Sequence, residues 1–225
     1  MKLRSYGIVL ISLFILLGSC FTAAATSISD ITGDVWHWAN TGTAWSWVGN
    51  IGNKPNIDIT EVSYSVNEDK ITLKLEVTGA IQTSDKVGYY LWYNSTDTYY
   101  MLSYMNGDGA GVGWKGMNFT SEQNITVSGD TLSVVLDVLG DTSKVELWGY
   151  AVEYTTTVGD ETNEWWGDWA PNEKFPHYGQ TGGTDDTDGT DDTDGSGSKT
   201  GTPGFELVVV LAAVVVGFLL FRKRR

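Results

Sequence analysis

Cysteine is nearly missing from this 225-residue chain, and the one copy, Cys20, sits in an N-terminal hydrophobic run. A fold that begins after that run has no disulfide, so its core or bound ions must hold it together. Histidine is scarce as well: His37 and His177 stand alone, with no second motif to complete a zinc site or a nucleophile–base pair. Basic residues are few. Between Thr26 and the C-terminal apolar run there are eight Lys and no Arg against 27 Asp plus Glu, a balance that argues against nucleic acid as a partner. Sustained helical spacing of apolar residues is absent between the two ends. Two carboxylates would suffice for a glycosidase, but no strand carries an E-x-D-x-x-E pattern. No catalytic residue is assigned, and the chain is not read as an enzyme.

What is present starts with the two ends. Lys2 and Arg4 precede an apolar stretch from Gly7 to Gly18, followed by Ala23, Ala24 and Ala25; this is the layout of a secretory signal peptide over residues 1–25. Leu17-Gly18-Ser19-Cys20 also resembles a bacterial-type lipobox, in which Cys20 would be lipidated. At the far end Phe205 to Phe221 is almost wholly apolar and is closed by Arg222, Lys223, Arg224 and Arg225. As a helix it is about 26 Å long, slightly under a hydrocarbon core of roughly 30 Å, so its basic end must snorkel. The positive cluster places the C-terminus inside before any processing and residues 26–202 outside, at the cell surface.

Residues 26–180 are long enough for one domain with a sizeable core. Ile71, Leu73, Leu75 and Val77 alternate with polar residues, and the same period of two returns at Leu132, Val134, Leu136 and Val138. It is less clean at 87–93, 99–105, 124–128 and 145–154. Turn clusters such as Asn106-Gly107-Asp108-Gly109 and Ser128-Gly129-Asp130 separate these runs. Short one-faced strands joined by tight turns predict an all-β fold, an antiparallel β-sandwich of jelly-roll or immunoglobulin-like type, flanked by the signal helix and the transmembrane helix. Residues 181–202 then repeat Thr-Asp-Asp-Thr-Asp-Gly, an acidic stalk with no apolar residue to collapse on. Its threonines recur every third residue, which suits an O-glycosylated rod or simple repeat expansion.

The stalk, then Pro203-Gly204-Phe205, then an apolar run and a basic cluster resemble the PGF-CTERM sorting signal of archaeal surface proteins over residues 203–225. That resemblance implies an archaeal surface glycoprotein, cut near the tripeptide by an archaeosortase-like processing enzyme and retained through a lipid. A permanent membrane anchor is the alternative. Asn94, Asn118 and Asn124 each begin an N-x-S/T sequon on a chain predicted to be secreted.

Asp30-Ile-Thr-Gly-Asp34, Asn56-Ile-Asp58-Ile, Gly129-Asp-Thr-Leu and Asp168-Trp-Ala-Pro-Asn resemble motifs of DOMON-like and family 9 carbohydrate-binding-module sandwiches. The resemblance implies a ligand-binding sandwich, commonly for sugars and sometimes stabilised by calcium. It makes Asp30, Asp34, Asp58 and Asp168 the candidate Ca²⁺ ligands, with turn capping as the alternative role. Ten tryptophans include the W-x-W pairs Trp36/Trp38 and Trp45/Trp47, whose rings share a face if each pair lies on a strand. With Trp165, Trp166 and Trp169, which fall in a Gly/Asp/Pro-containing stretch that reads as an exposed segment or lid, they form the candidate sugar platform. Their alternative is to fill the space between two sheets. The chain is therefore expected to be a surface-anchored sandwich binding carbohydrate or another extracellular ligand, or else a structural surface glycoprotein.

Overall fold

The computed structural model describes residues 24–40, 44–160, 164–176 and 182–186. The signal segment before residue 24, His177, and the sorting signal and membrane segment at 203–225 lie outside them. Among the described residues no helix is long and apolar enough to cross a membrane.

Among the described residues the fold is all-β, with a single 3-10 turn at Asn172–Lys174. Its strands are β1 (Ala24–Ser29), β2 (Trp36–Asn40), β3 (Ala44–Val48), β4 (Ile59–Asn67), β5 (Lys70–Val77), β6 (Val87–Ser95) and β7 (Tyr99–Met105). They continue as β8 (Asp108–Lys115), β9 (Asn118–Glu122), β10 (Thr126–Ser128), β11 (Thr131–Asp137), β12 (Lys144–Tyr154), β13 (Trp165–Ala170) and β14 (Gly182–Asp186). A five-stranded sheet runs β1-β4-β5-β11-β10, and a nine-stranded sheet runs β14-β3-β2-β13-β12-β6-β7-β8-β9. Neighbours pair antiparallel in both. The β7–β8 hairpin shows how local chemistry sets register. Asn106 and Gly107 form a two-residue loop with φ of 54° and 81°, the left-handed pair that matches strand twist.

Alternation in β5 buries Ile71, Leu73, Leu75 and Val77, as the period of two predicts. These meet Tyr89, Leu91, Tyr93, Tyr100, Leu102 and Leu147 from the larger sheet in one core shared by both sheets, the arrangement of a β-sandwich. Close approach depends on glycines in the larger sheet. A Cβ on Gly149 would lie 2.5 Å from Val62 Cγ1, and one on Gly111 would lie 2.6 Å from Val134 Cγ2. Core tyrosines carry their hydroxyls to partners at the rim: Tyr93 donates to the Thr142 carbonyl at 2.6 Å, and Tyr100 accepts the Leu139 N–H at 2.8 Å. Such pairing lets a large ring be buried without stranding its polar tip.

Two segments depart from expectation. Trp165–Ala170 is no exposed lid but a central strand between β2 and β12, because its glycine and aspartate face specific neighbours rather than making a turn. Gly182–Asp186, inside the span read as a stalk, pairs through its backbone with β3. At the other end β1 begins at Ala24, two residues ahead of the expected domain start.

Candidate metal centre and aromatic face

Strand β1 ends at a loop that carries Asp30 to Asp34, and β13 turns Asp168 inward beside it. One carboxylate oxygen from each of Asp30, Asp34 and Asp168 lies within 4.8 Å of the others. Asp168 is fully buried and accepts N–H groups from Ile59 at 2.6 Å and Trp169 at 3.0 Å. Asp34 is 6% exposed and accepts the Asn172 side-chain amide at 2.5 Å. Asp58 plays a different part. Both of its oxygens lie 3.0 Å from the Gly33 N–H, which fixes the loop where Gly33 has φ of +83°.

Among the described residues no lysine or histidine forms an ion pair with this group. Burial, and then the neighbouring Asp34, push Asp30 up to about 7. Burial raises Asp34, and burial followed by the charges of Asp34 and Asp30 raises Asp168 well above the carboxylate range. Asp30 Oδ2 and Asp34 Oδ1 are buried and have no hydrogen-bond partner. Orphaned oxygens of this kind cost free energy unless something meets them. An all-oxygen, carboxylate-rich set fits a hard divalent cation and not zinc or copper.

The outer face of the nine-stranded sheet is unusual. Alternation sends Val87, Tyr89, Leu91 and Tyr93 of β6 into the shared core, which leaves Tyr90 and Trp92 outside it. Paired positions then line up as cross-strand rows. Trp47, Trp38, Trp165 and Tyr154 form one row across β3, β2, β13 and β12. Trp169, Tyr150 and Tyr90 form a second, and Trp148, Trp92 and Met101 a third. The last is Glu146, Asn94, Tyr99, Trp114 and Phe119. The first three rows belong to a second apolar cluster, separate from the inter-sheet core, and the last row lies beside it.

The candidate platform residues fall into this layer unequally. Trp38, Trp47, Trp165 and Trp169 are buried there, and Trp36 is half-buried. Trp45 lies on β3, but its side chain is outside the described residues. Trp166 points to the opposite side, where His37 stacks on it and Lys54 Nζ sits 3.7 Å from its ring. Trp38, Trp47, Trp165 and Trp169 thus pack in the outer layer, whereas Trp166 packs against the core between the sheets. Trp38 stacks on Trp165, and Trp92 on Trp148, each at 4.0 Å.

Phe175 closes one half of the layer. It stacks on Trp36 at 3.9 Å and meets Trp38 and Trp169 at an angle. Asn172, three residues before it, is the residue bonded to Asp34, so the carboxylate group and the aromatic cover are tied by one hydrogen bond. The sequence shows Asn172 only as the end of the Asp168-Trp-Ala-Pro-Asn motif, with no role assigned, and nothing in it marks Phe175. The other half of the layer stays open: Tyr99 is 48% and Phe119 58% exposed, with Trp114, Trp148 and Tyr90 half-buried.

The sequons also separate. Asn94 is half-buried, and its amide donates to Glu146 at 2.9 Å, whereas Asn118 and Asn124 are exposed beside the β9 edge. No family model, curated protein or solved structure matches this chain.

Proposed function

We propose that this chain is a surface-displayed binding module whose ligand is carbohydrate and whose binding face is the outer side of the nine-stranded sheet. The observation that carries the reading is the second aromatic layer. An isolated sandwich has no folding need for such a layer on an outward face, since the core between its sheets is already complete. Aromatic faces and edges bordered by amides and carboxylates match the apolar faces and polar rim of a sugar ring. A calcium ion at Asp30, Asp34 and Asp168 is the structural part of the proposal, supported by the orphaned oxygens. Its contribution is to neutralise the carboxylates and fix the loop before β2.

The sequence signals set the context. A signal peptide, an acidic stalk and a Pro203-Gly204-Phe205 sorting segment with a membrane anchor put the domain outside an archaeal cell, with an archaeosortase-like enzyme as processing partner. A structural surface glycoprotein is the second reading. It is favoured by the stacks that turn ring faces toward one another, Trp38 on Trp165 and Trp92 on Trp148.

Sedimentation of the purified chain with insoluble cellulose, chitin, xylan and mannan separates the two. Saturable co-sedimentation with at least one polysaccharide supports binding. Failure with all four, and on a broad glycan array, leaves the structural role.

A further inference from the structure

The aromatic face is not uniform, and its rows differ in what they offer a ligand. The row of Trp47, Trp38 and Trp165 is buried, and the Trp148–Trp92 row is closed by face-to-face stacking. In the last row Tyr99, Trp114 and Phe119 occupy paired positions on β7, β8 and β9, and two of these rings are about half exposed. Tyr99 and Trp114 lie with planes 16° apart and centroids 5.6 Å apart, farther than the Trp38–Trp165 and Trp92–Trp148 pairs at 4.0 Å. The same row continues onto β6 and β12 as Asn94 and Glu146, which bond each other, and Glu146 also takes the Lys174 ammonium.

Building on the carbohydrate reading, we propose that this row is the ligand contact and that its ligand is a linear polysaccharide lying across the strands. The strands carrying the row repeat at about 4.8 Å and the Tyr99 and Trp114 centroids stand 5.6 Å apart, close to the rise of one pyranose in an extended chain, so successive sugars meet successive side chains. Hydroxyl groups find hydrogen-bonding partners at the Asn94–Glu146–Lys174 end. A protein partner fits poorly. Three partly covered aromatic side chains, each offering at most about 150–250 Å² when wholly buried, fall short of the roughly 800 Å² per partner of a stable protein interface. Asn118 does not obstruct the row, because strand alternation turns it to the other side of β9 from Phe119. Asn94 is held by Glu146 and faces the ligand as an amide.

The test uses the purified chain and soluble oligosaccharides of the four polysaccharides above, read by isothermal titration. For whichever probe the unaltered chain binds, Tyr99→Ala with Trp114→Ala should weaken affinity at least tenfold, while Trp114→Phe keeps most of it. Ser65→Ala, on the outer face of the other sheet, should change nothing. Melting curves confirm that each variant folds; should the double variant not fold, Phe119→Ala alone, at an exposed edge, serves in its place. Undiminished binding in the row variants would overturn the assignment and leave the carbohydrate reading standing. No binding by the unaltered chain to any probe would overturn both.

Discussion

The two sheets share one core and differ on the faces they turn away from it. On the five-stranded sheet the outward positions are Ser63 and Ser65 of β4 and Thr72 and Lys74 of β5, paired across the strands. Here the sheet is apolar inside and polar outside, the usual form of an antiparallel sheet with one wet face. On the nine-stranded sheet each strand from β3 to β9 in the sheet order, β7 included, carries at least one outward aromatic ring. A folding requirement explains the first pattern and only half of the second. Inward-facing residues complete the sandwich in both, so the outward rings of the larger sheet must be explained by what they cover or contact.

The largest expected effect is on stability. Trp92 is 7% exposed and stacked on Trp148, so Trp92→Ala should cost about 3–5 kcal/mol in urea unfolding, as for a buried core ring. Ser65→Ala, an outward change on the smaller sheet, should stay within about 0.5 kcal/mol. Equal small costs would mean that the outer aromatic layer is not packed, and the contrast between the sheets would disappear.

The proposed calcium ion comes next, and its link to the larger sheet is Asp168 on β13 and Asn172, which bonds Asp34. At a hundredfold excess over its dissociation constant it should stabilise the fold by about 2.7 kcal/mol, and chelation should lower the melting temperature by several degrees. Asp34→Asn should abolish that response. Because Asn172 bonds Asp34 and leads to Phe175, chelation should also raise acrylamide quenching of tryptophan fluorescence. Identical melting and quenching with calcium and with EDTA would remove the ion from the account.

A smaller effect concerns pH. Asp30 and Asp168 take up protons more readily in the fold than in the unfolded chain, so the metal-free native state binds more protons. Its stability from these groups is greatest below the ordinary value of 3.8 and is lost as pH rises toward about 7. Melting of the chelated protein should therefore fall across that interval, and added calcium should offset the fall. A melting temperature that rises with pH in EDTA would contradict the shared burial of these carboxylates.

How much of this was legible depended on whether a strand has one wet face. β5 and β11 were readable because polar residues separate Ile71 from Leu73 and Leu132 from Val134. β6 read less cleanly, since burial on both faces replaces alternation by a nearly continuous apolar run from Val87 to Tyr93. β13 was missed altogether. Its glycine makes room for a ring, as a Cβ on Gly167 would lie 2.8 Å from Trp169, and its aspartate belongs to the carboxylate group, yet both residue types signal turns in a sequence. Three of the four expected carboxylates, Asp30, Asp34 and Asp168, lie together while Asp58 holds the Gly33 N–H, and the Asn172–Asp34 bond joins residues 138 apart and has no local signature. W-x-W spacing correctly put Trp36 and Trp38 on one side of a strand, but no spacing reveals that Phe175 lies over them.

Hydroxyl-radical footprinting of the chain with and without a bound polysaccharide tests the binding face most directly, because it reads both sheets in one experiment. Protection should concentrate on Tyr99, Trp114 and Phe119, with the β4–β5 hairpin at 59–77 unchanged. Protection confined to that hairpin, with the aromatic row as reactive as in the free chain, would contradict the assignment of ligand binding to the nine-stranded sheet.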